Sequence, residues 1–302
     1  MRRNIILDTL VSVIIPSYKH RQYIFDAIKS VLDQKTDFNY ELIIVDSSCD
    51  DTADLLKKKF PDIRVIALRE RAYPGAARNV GIKAARGNYI AFTDTDCIAH
   101  PSWLEHLIGA HRAGHRVVGG SIRNGTPYSL GGTLDYLLEC SDFTTPRQTT
   151  QKSHFGGGNV SFVRDIFHKH GYYADQVKGS DSIYTRLLKK AGEELFYQPK
   201  AIVWHRNRTD LKKIFRNQYE LGYGAAINRH KYKLSGTILI SHPWLIPLLP
   251  FAKMLTISKL LVQNHPLHFF KFVLLSPLAF IVLSVYAAGF YRGRRDIVKP
   301  TG

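Results

Sequence analysis

Two aspartates one residue apart, Asp94 and Asp96, follow the short apolar run Tyr89-Ile90-Ala91-Phe92-Thr93. Alternate residues of an extended chain face the same side, so this pair can share one cation; a polar turn is the other use of such a sequence. Asp46 ends the run Glu41 to Val45, where an acid can meet a ribose or a base edge, or cap a following helix. Asp181, in Gly179-Ser180-Asp181, stands near the start of a helix carrying Ile183, Leu187 and Leu188. An N-cap is the simplest use of an acid there. His205 leaves the run Ala201-Ile202-Val203-Trp204, where an imidazole serves as a packed structural group or as a metal ligand. Gly156-Gly157-Gly158 either lets backbone approach a ligand or makes a flexible turn.

The elements that must position these groups alternate. Val11 to Ile15, Glu41 to Val45, Ile63 to Ala67 and Tyr89 to Thr93 read as buried, β-prone strands. Between them, helical spacing appears over Gln22 to Leu32, from Thr52 to about Phe60, and through Ala76, Ala77, Val80, Ala84 and Ala85. Gly87 is expected to end the last of these as a C-terminal cap. This order implies βαβ units and a doubly wound, Rossmann-like sheet, with Asp46, Asp94 and Asp96 at strand carboxyl ends. No GxGxxG follows the first strand, which argues against a dinucleotide and leaves a mononucleotide open. Beyond Asp96 the pattern loosens. Helices are expected at Pro101 to Ala110, Leu134 to Cys140, and Asp210 to Gly222. Strands are expected at Arg116 to Gly120, Val160 to Val163 and Ala201 to Trp204.

The chain has 302 residues and a formal net charge of +17. That excess asks for nucleic acid, an anionic membrane face or a phosphorylated substrate as partner. The basic residues are spread along the chain without a recognition-helix or aromatic RNA-binding pattern, which sets nucleic acid aside. Cys49, Cys97 and Cys140 make no CxxC pairing and suggest no disulfide framework. The basic, apolar N-terminus is interrupted by Asp8 and runs into a strand, unlike a secretory signal.

The C-terminal part differs in character. Phe272 to Tyr291 contains no charged residue, and about 20 residues are what a spanning helix needs. Ile238 to Val262 is apolar but carries Lys253 and Lys259, which favours an interfacial helix over a clean span. The two could also form a re-entrant hairpin, and a buried core helix is the ordinary alternative.

Together these pieces resemble the inverting glycosyltransferases of family 2, a membrane-associated bacterial type with the GT-A fold. The resemblance runs from about Val11 to Gly222. It rests on VSVIIPSY, IIVDSSCDDT, GAARNVGIKAARGNYIAFTDTDC, GGGNVSFVRDIF, GSDSIYTRLLKKAG and VWHRNR, in that order. It implies a Rossmann-like α/β domain over 1–235, with a mostly parallel sheet flanked by helices. The nucleotide-sugar half is about 1–100 and the acceptor half about 101–235. A hydrophobic, membrane-associated helical tail follows over 236–302. Pro16, Ser17, Tyr18 and Asp46 then look like the nucleoside site, with Arg78 and Asp94 helping on the donor. Asp94, Asp96 and His205 look like the site of a divalent metal, Mn²⁺ or Mg²⁺, and Asp181 like the general base. Ser180 stands where the family usually has Glu. No Q/RxxRW signature of processive synthases is present, so single-sugar transfer to a glycan or lipid-linked acceptor is implied. It would serve cell-envelope polysaccharide at the cytoplasmic face of the membrane. A catalytically silent nucleotide-sugar-binding scaffold of the same fold is the alternative.

Overall fold

The computed structural model describes residues 10–144, 150–175 and 178–298. The N-terminal run with Asp8 and the last residues of the tail lie outside them. In chain order the elements are β1 (Leu10–Ser17), α1 (Arg21–Leu32), β2 (Asn39–Asp46), α2 (Thr52–Lys59), β3 (Arg64–Ala67), α3 (Pro74–Ala84), β4 (Tyr89–Thr93) and β5 (Cys97–Ala99). Then come α4 (Trp103–Arg112), β6 (Val117–Asn124), α5 (Leu130–Cys140), β7 (Thr150–Gln151), β8 (Asn159–Val163), α6 (Asp165–His170), α7 (Ser180–Lys190) and β9 (Leu195–His205). The chain ends in α8 (Leu211–Tyr232), α9 (Ile238–Ser241), α10 (Leu249–Asn264), α11 (Pro266–Leu274) and α12 (Ser276–Val298).

These fall into two compact units. The first takes the described residues of Met1–Arg123, Arg147–Gln176 and Ser180–His205. It holds one sheet, ordered β3-β2-β1-β4-β8-β6-β9-β5, with β7 beside β9. From β3 to β4 the pairing is parallel, as the alternation of strands and helices predicts. The strands are apolar because both faces are covered: Val11, Val13, Ile14 and Ile15 of β1 have no exposure. In α1, Ile24, Ala27, Ile28 and Val31 repeat at helical spacing and form the buried stripe. Beyond β4 the ladders of β4 with β8, β6 with β8, and β5 with β9 are antiparallel. Strands near Arg116 to Gly120, Val160 to Val163 and Ala201 to Trp204 were expected here, but their antiparallel pairing, which makes the sheet mixed, was not, because strand pairing carries little periodic signal.

Gly87 does not cap α3. Its φ is not among the positive ones; instead it lies against β1, where a Cβ would come within 2.6 Å of Leu10 O and Ser12 N. Its N–H donates to the buried Ser12 hydroxyl at 2.8 Å. Close backbone approach, not a left-handed turn, is what requires glycine here. The three cysteines are unpaired.

The second unit takes the described residues of Asn124–Pro146, Val177–Gly179 and Arg206–Gly302. Its centre is α8 lying along α12. A Cβ on Gly222 would sit 2.0 Å from Tyr286 O, and one on Gly289 would sit 2.1 Å from Tyr219 O. Glycine at both positions lets the two helix backbones touch. The uncharged run Phe272 to Tyr291, expected as one helix of spanning length, is divided at Leu275. There α11 and α12 meet with a bend of 80°. Pro277 is the local cause: it cannot continue the hydrogen bonding of a preceding helix, so a new one starts around it. Among the described residues one helical stretch, Pro243–Asn264, is long and apolar enough to cross a membrane by length and composition.

Candidate active site

Strand register builds the site in the first unit. Ser17 and Asp46 are partners at the carboxyl ends of β1 and β2. The Ser17 hydroxyl donates to Asp46 Oδ1 at 2.7 Å, and the Ser48 hydroxyl donates to the same oxygen at 2.7 Å. The Lys19 N–H closes this corner by donating to Ser48 Oγ at 2.8 Å. Lys19 and Cys49 take left-handed φ values of 54° and 57°, a strained choice for non-glycine residues that often marks functional loops. Pro16 and Tyr18 flank the corner, and the Arg71 guanidinium lies 4.7 Å from the Tyr18 ring centre. Arg71 was not singled out in the sequence, where nothing distinguishes it from the other loop cations. His20 Nδ1 and the Thr95 hydroxyl, 2.7 Å apart, tie this corner to the loop after β4.

That loop carries the second cluster. Antiparallel pairing sets Thr93 opposite Asn159, which brings Gly156-Gly157-Gly158 beside Asp94. Pairing of β5 with β9 sets Cys97 opposite His205, which brings His205 Nε2 within 3.7 Å of Asp96 Oδ1. Ligand atoms of Asp96, Cys97 and His205 all lie within 4.8 Å of one another. Asp94 is turned elsewhere: its Oδ1 accepts from Arg78 Nη2 at 2.6 Å. The structure thus brings Asp96 and His205 together, adds the Cys97 thiol, and pairs Asp94 with Arg78. Cys97 was visible in the sequence only as the end of the strand-loop piece; its register with His205 was not.

Asp181 lies in the first turn of α7, and its Oδ2 accepts the Gly157 N–H at 2.6 Å. A Cβ at Gly157 would meet Arg78 Nη2 at 2.1 Å, and one at Gly158 would come 3.1 Å from Asp94 Oδ2. Gly157 and Gly158 therefore serve close approach, while Gly156 has room for a side chain. Ser180 is buried, and a Cβ on Gly75 of α3 would stand 2.6 Å from its hydroxyl. Ser180 thus packs closely against the start of α3.

Arg78 is buried, with its guanidinium carbon 5.9 Å and 6.0 Å from the centres of the Phe92 and Tyr173 rings. Burial lowers the pKa of its guanidinium, but the carboxylates of Asp94 and Asp181 outweigh that and raise it. Burial raises the Asp94 carboxyl, against the pull of Arg78, and the nearby Asp96 and Asp181 add to the rise. Two carboxylates, Asp94 and Asp181, thus face one guanidinium, and Asp96 adds a third negative group beside Asp94, an excess of negative charge that a cation would relieve. Carboxylate, imidazole and thiol atoms converging at Asp96, His205 and Cys97 are a donor set for a divalent transition metal.

Known proteins agree with this architecture. The profile of glycosyl transferase family 2 matches residues 12–171. Glycosyltransferase AglE of Haloferax volcanii is 27% identical over 222 residues, 71% of this chain and 72% of that protein. The succinoglycan biosynthesis protein ExoO of Rhizobium meliloti is 37% identical over 224 residues, 68% of this chain and 63% of that protein. Some other curated relatives are much longer, and the match spans 21% of their length or less. Mannosyltransferase PcManGT from Pyrobaculum calidifontis, solved in complex with GDP-Man and Mn²⁺, superposes with a TM-score of 0.62 at 16% identity. The match covers 97% of this chain and 88% of that one. The chain belongs to glycosyl transferase family 2 and is a glycosyltransferase of the GT-A fold.

Proposed function

We propose that the enzyme transfers a single sugar from a nucleotide-sugar donor to an acceptor hydroxyl, with inversion at the anomeric carbon. The observation that carries this reading is the convergence of Asp94 and Asp181 on Arg78 and on Gly157 and Gly158, with Asp96 and His205 together beside Asp94. Asp46, oriented by Ser17 and Ser48, offers acceptor oxygens to a ribose hydroxyl or a base N–H. Pro16 and the Tyr18 ring would flank that nucleoside. Arg78 fixes Asp94, which then serves the donor beside the metal position.

Asp96 and His205 would hold a divalent cation, with Asp94 and the Cys97 thiol at its margin. A divalent cation held by these residues, Mn²⁺ or Mg²⁺, would supply positive charge against the diphosphate leaving group. Nitrogen and sulfur donors favour Mn²⁺ over Mg²⁺. Asp181 takes the proton of the acceptor hydroxyl. The acceptor oxygen forms its bond to the anomeric carbon as the bond to the diphosphate oxygen breaks, and that oxygen keeps the electron pair. One base and one displacement give inversion. The Gly157 N–H holds the Asp181 carboxylate in place for this step.

The acceptor we propose is a glycan or lipid-linked sugar of a cell-envelope polysaccharide, at the cytoplasmic face of the membrane. The rhizobial relative's naming for succinoglycan biosynthesis supports that class. In this reading residues 1–235 carry catalysis and 236–302 make the membrane-associated tail. A donor panel scored by nucleoside diphosphate release, with Mn²⁺ or Mg²⁺ present, tests the reaction. Asp181→Asn should lower transfer by about 10²–10⁴-fold while donor binding stays intact. Unchanged transfer in that variant overturns the assignment.

A further inference from the structure

We propose that the face formed by α10 and α11 lies in the plane of an anionic lipid surface, inserted into one leaflet without crossing it. This deepens the membrane-tail part of the preceding reading and rests on it.

The helices of the second unit are poorly suited to crossing. α12 is clamped along α8 through Gly222 and Gly289, and α8 carries Lys212, Lys213, Arg216 and Glu220. Taking α12 through a bilayer would draw that charged helix into hydrocarbon with it. α10 has 16 residues, about 24 Å of helix, short of the roughly 30 Å of a hydrocarbon core. Extending it to spanning length adds the tight turn Pro243–Leu248 and leaves Lys253 and Lys259 inside.

Lying flat suits the same residues. On α10, Phe251, Leu255 and Val262 form an outward stripe, and Leu255 is 72% exposed. On α11, Leu267, Phe270 and Leu274 do the same, with Leu274 81% exposed. Trp244, 67% exposed, precedes them, a residue suited to the headgroup level. Lys259 and Lys271 sit four residues on from Leu255 and Leu267, on the same stripes. Their stems can cover apolar surface while the ammonium groups reach lipid phosphates. No Asp or Glu occurs between Glu220 and Asp296, so nothing in this stretch repels an anionic leaflet. Charge complementarity therefore selects a lipid surface over a second copy of the same basic face.

Flotation of the full chain with vesicles tests this. Binding to phosphatidylcholine vesicles containing phosphatidylglycerol should exceed binding to phosphatidylcholine alone by about tenfold, and alkaline carbonate should release the protein. Phe270→Asp with Leu274→Asp should lower partition by at least about tenfold with the melting temperature and nucleotide-sugar binding unchanged. Lys259→Glu with Lys271→Glu should remove the phosphatidylglycerol preference alone. Resistance to carbonate, equal binding by the apolar variant, or lipid-free dimers that this variant dissociates would each overturn the proposal. Nucleotide-sugar binding on the same samples keeps the readings apart: its loss counts against the catalytic site, and failed lipid binding with intact donor binding counts against the docking face.

Discussion

Replacing Arg78 by glutamine pits two effects of opposite sign against each other. The guanidinium side chain is 3% exposed and reaches Asp94 at 2.6 Å, and Asp181 also faces it. Removing it leaves the Asp94 carboxylate beside two other acids with no cation. Breaking a buried pair costs about 3–5 kcal/mol; Asp94 keeps some solvent contact, so the low end, about 3 kcal/mol, applies here. For a chain of this size that is a fall of roughly 6–12 °C in melting temperature. The loss should shrink on acidification. Burial already raises the Asp94 carboxyl, and the variant raises it further. The folded state then holds a proton that the unfolded chain releases, so stability declines as pH climbs through that window. Divalent cations reverse the picture. With one positive charge gone from the cluster, Mn²⁺ should bind about tenfold more tightly or better, from Coulomb's law at an effective dielectric near 20. Saturating Mn²⁺ should therefore restore more of the melting temperature in the variant than in the parent. Differential scanning fluorimetry across pH, with and without MnCl₂, and titration calorimetry measure both effects. A variant that melts like the parent without metal, or that binds Mn²⁺ more weakly, refutes the reasoning.

Gly157→Ala should displace Arg78, since its Cβ would fall 2.1 Å from Nη2; turnover should drop by at least about tenfold, and a crystal structure should find the Arg78–Asp94 contact lengthened. His111 gives the fold an acid sensitivity that sugar transfer does not explain. Its Nδ1–H donates to His115 O at 2.7 Å, its Nε2 accepts from the Ser161 hydroxyl at 2.8 Å, and burial lowers its pKa to about 4. The unfolded chain takes up this proton near pH 6.5 and the fold refuses it until about pH 4. Stability should thus fall by about 3 kcal/mol across that window, and denaturant melts should find this slope reduced in His111→Gln.

The parallel half of the sheet was legible because strands covered on both faces must be continuously apolar. Val11 to Ile15 and Tyr89 to Thr93 could hardly be anything else. Asp46, Asp94 and Asp96 followed, since an acid just beyond such a strand lies at its carboxyl edge. The partnerships were not legible. Three residues of β5 have no period to detect, yet their register with β9 decides that Cys97 and Asp96 meet His205. The resemblance implied that Asp94 and Asp96 both serve one cation site, with Asp96 the more direct ligand, but the contact that turns Asp94 toward Arg78 comes from the fold alone. In the tail, hydrophobicity reported length and not direction. The 80° bend at Leu275 depends on a proline whose effect varies with what packs around it.

The pairing of β5 with β9 also sets an order of events during synthesis. The corner at Ser17 and Asp46 is built from strands encoded in the first 67 residues, so it can form while the chain is still being made. Asp96 must wait for His205, more than a hundred residues later, and Asp181 comes late as well. Domains acquire structure from the N-terminus as they leave the ribosome, and distant pairings close last. A nascent chain halted before β9 could therefore form the Ser17–Asp46 corner while Asp96 still lacks its neighbour His205.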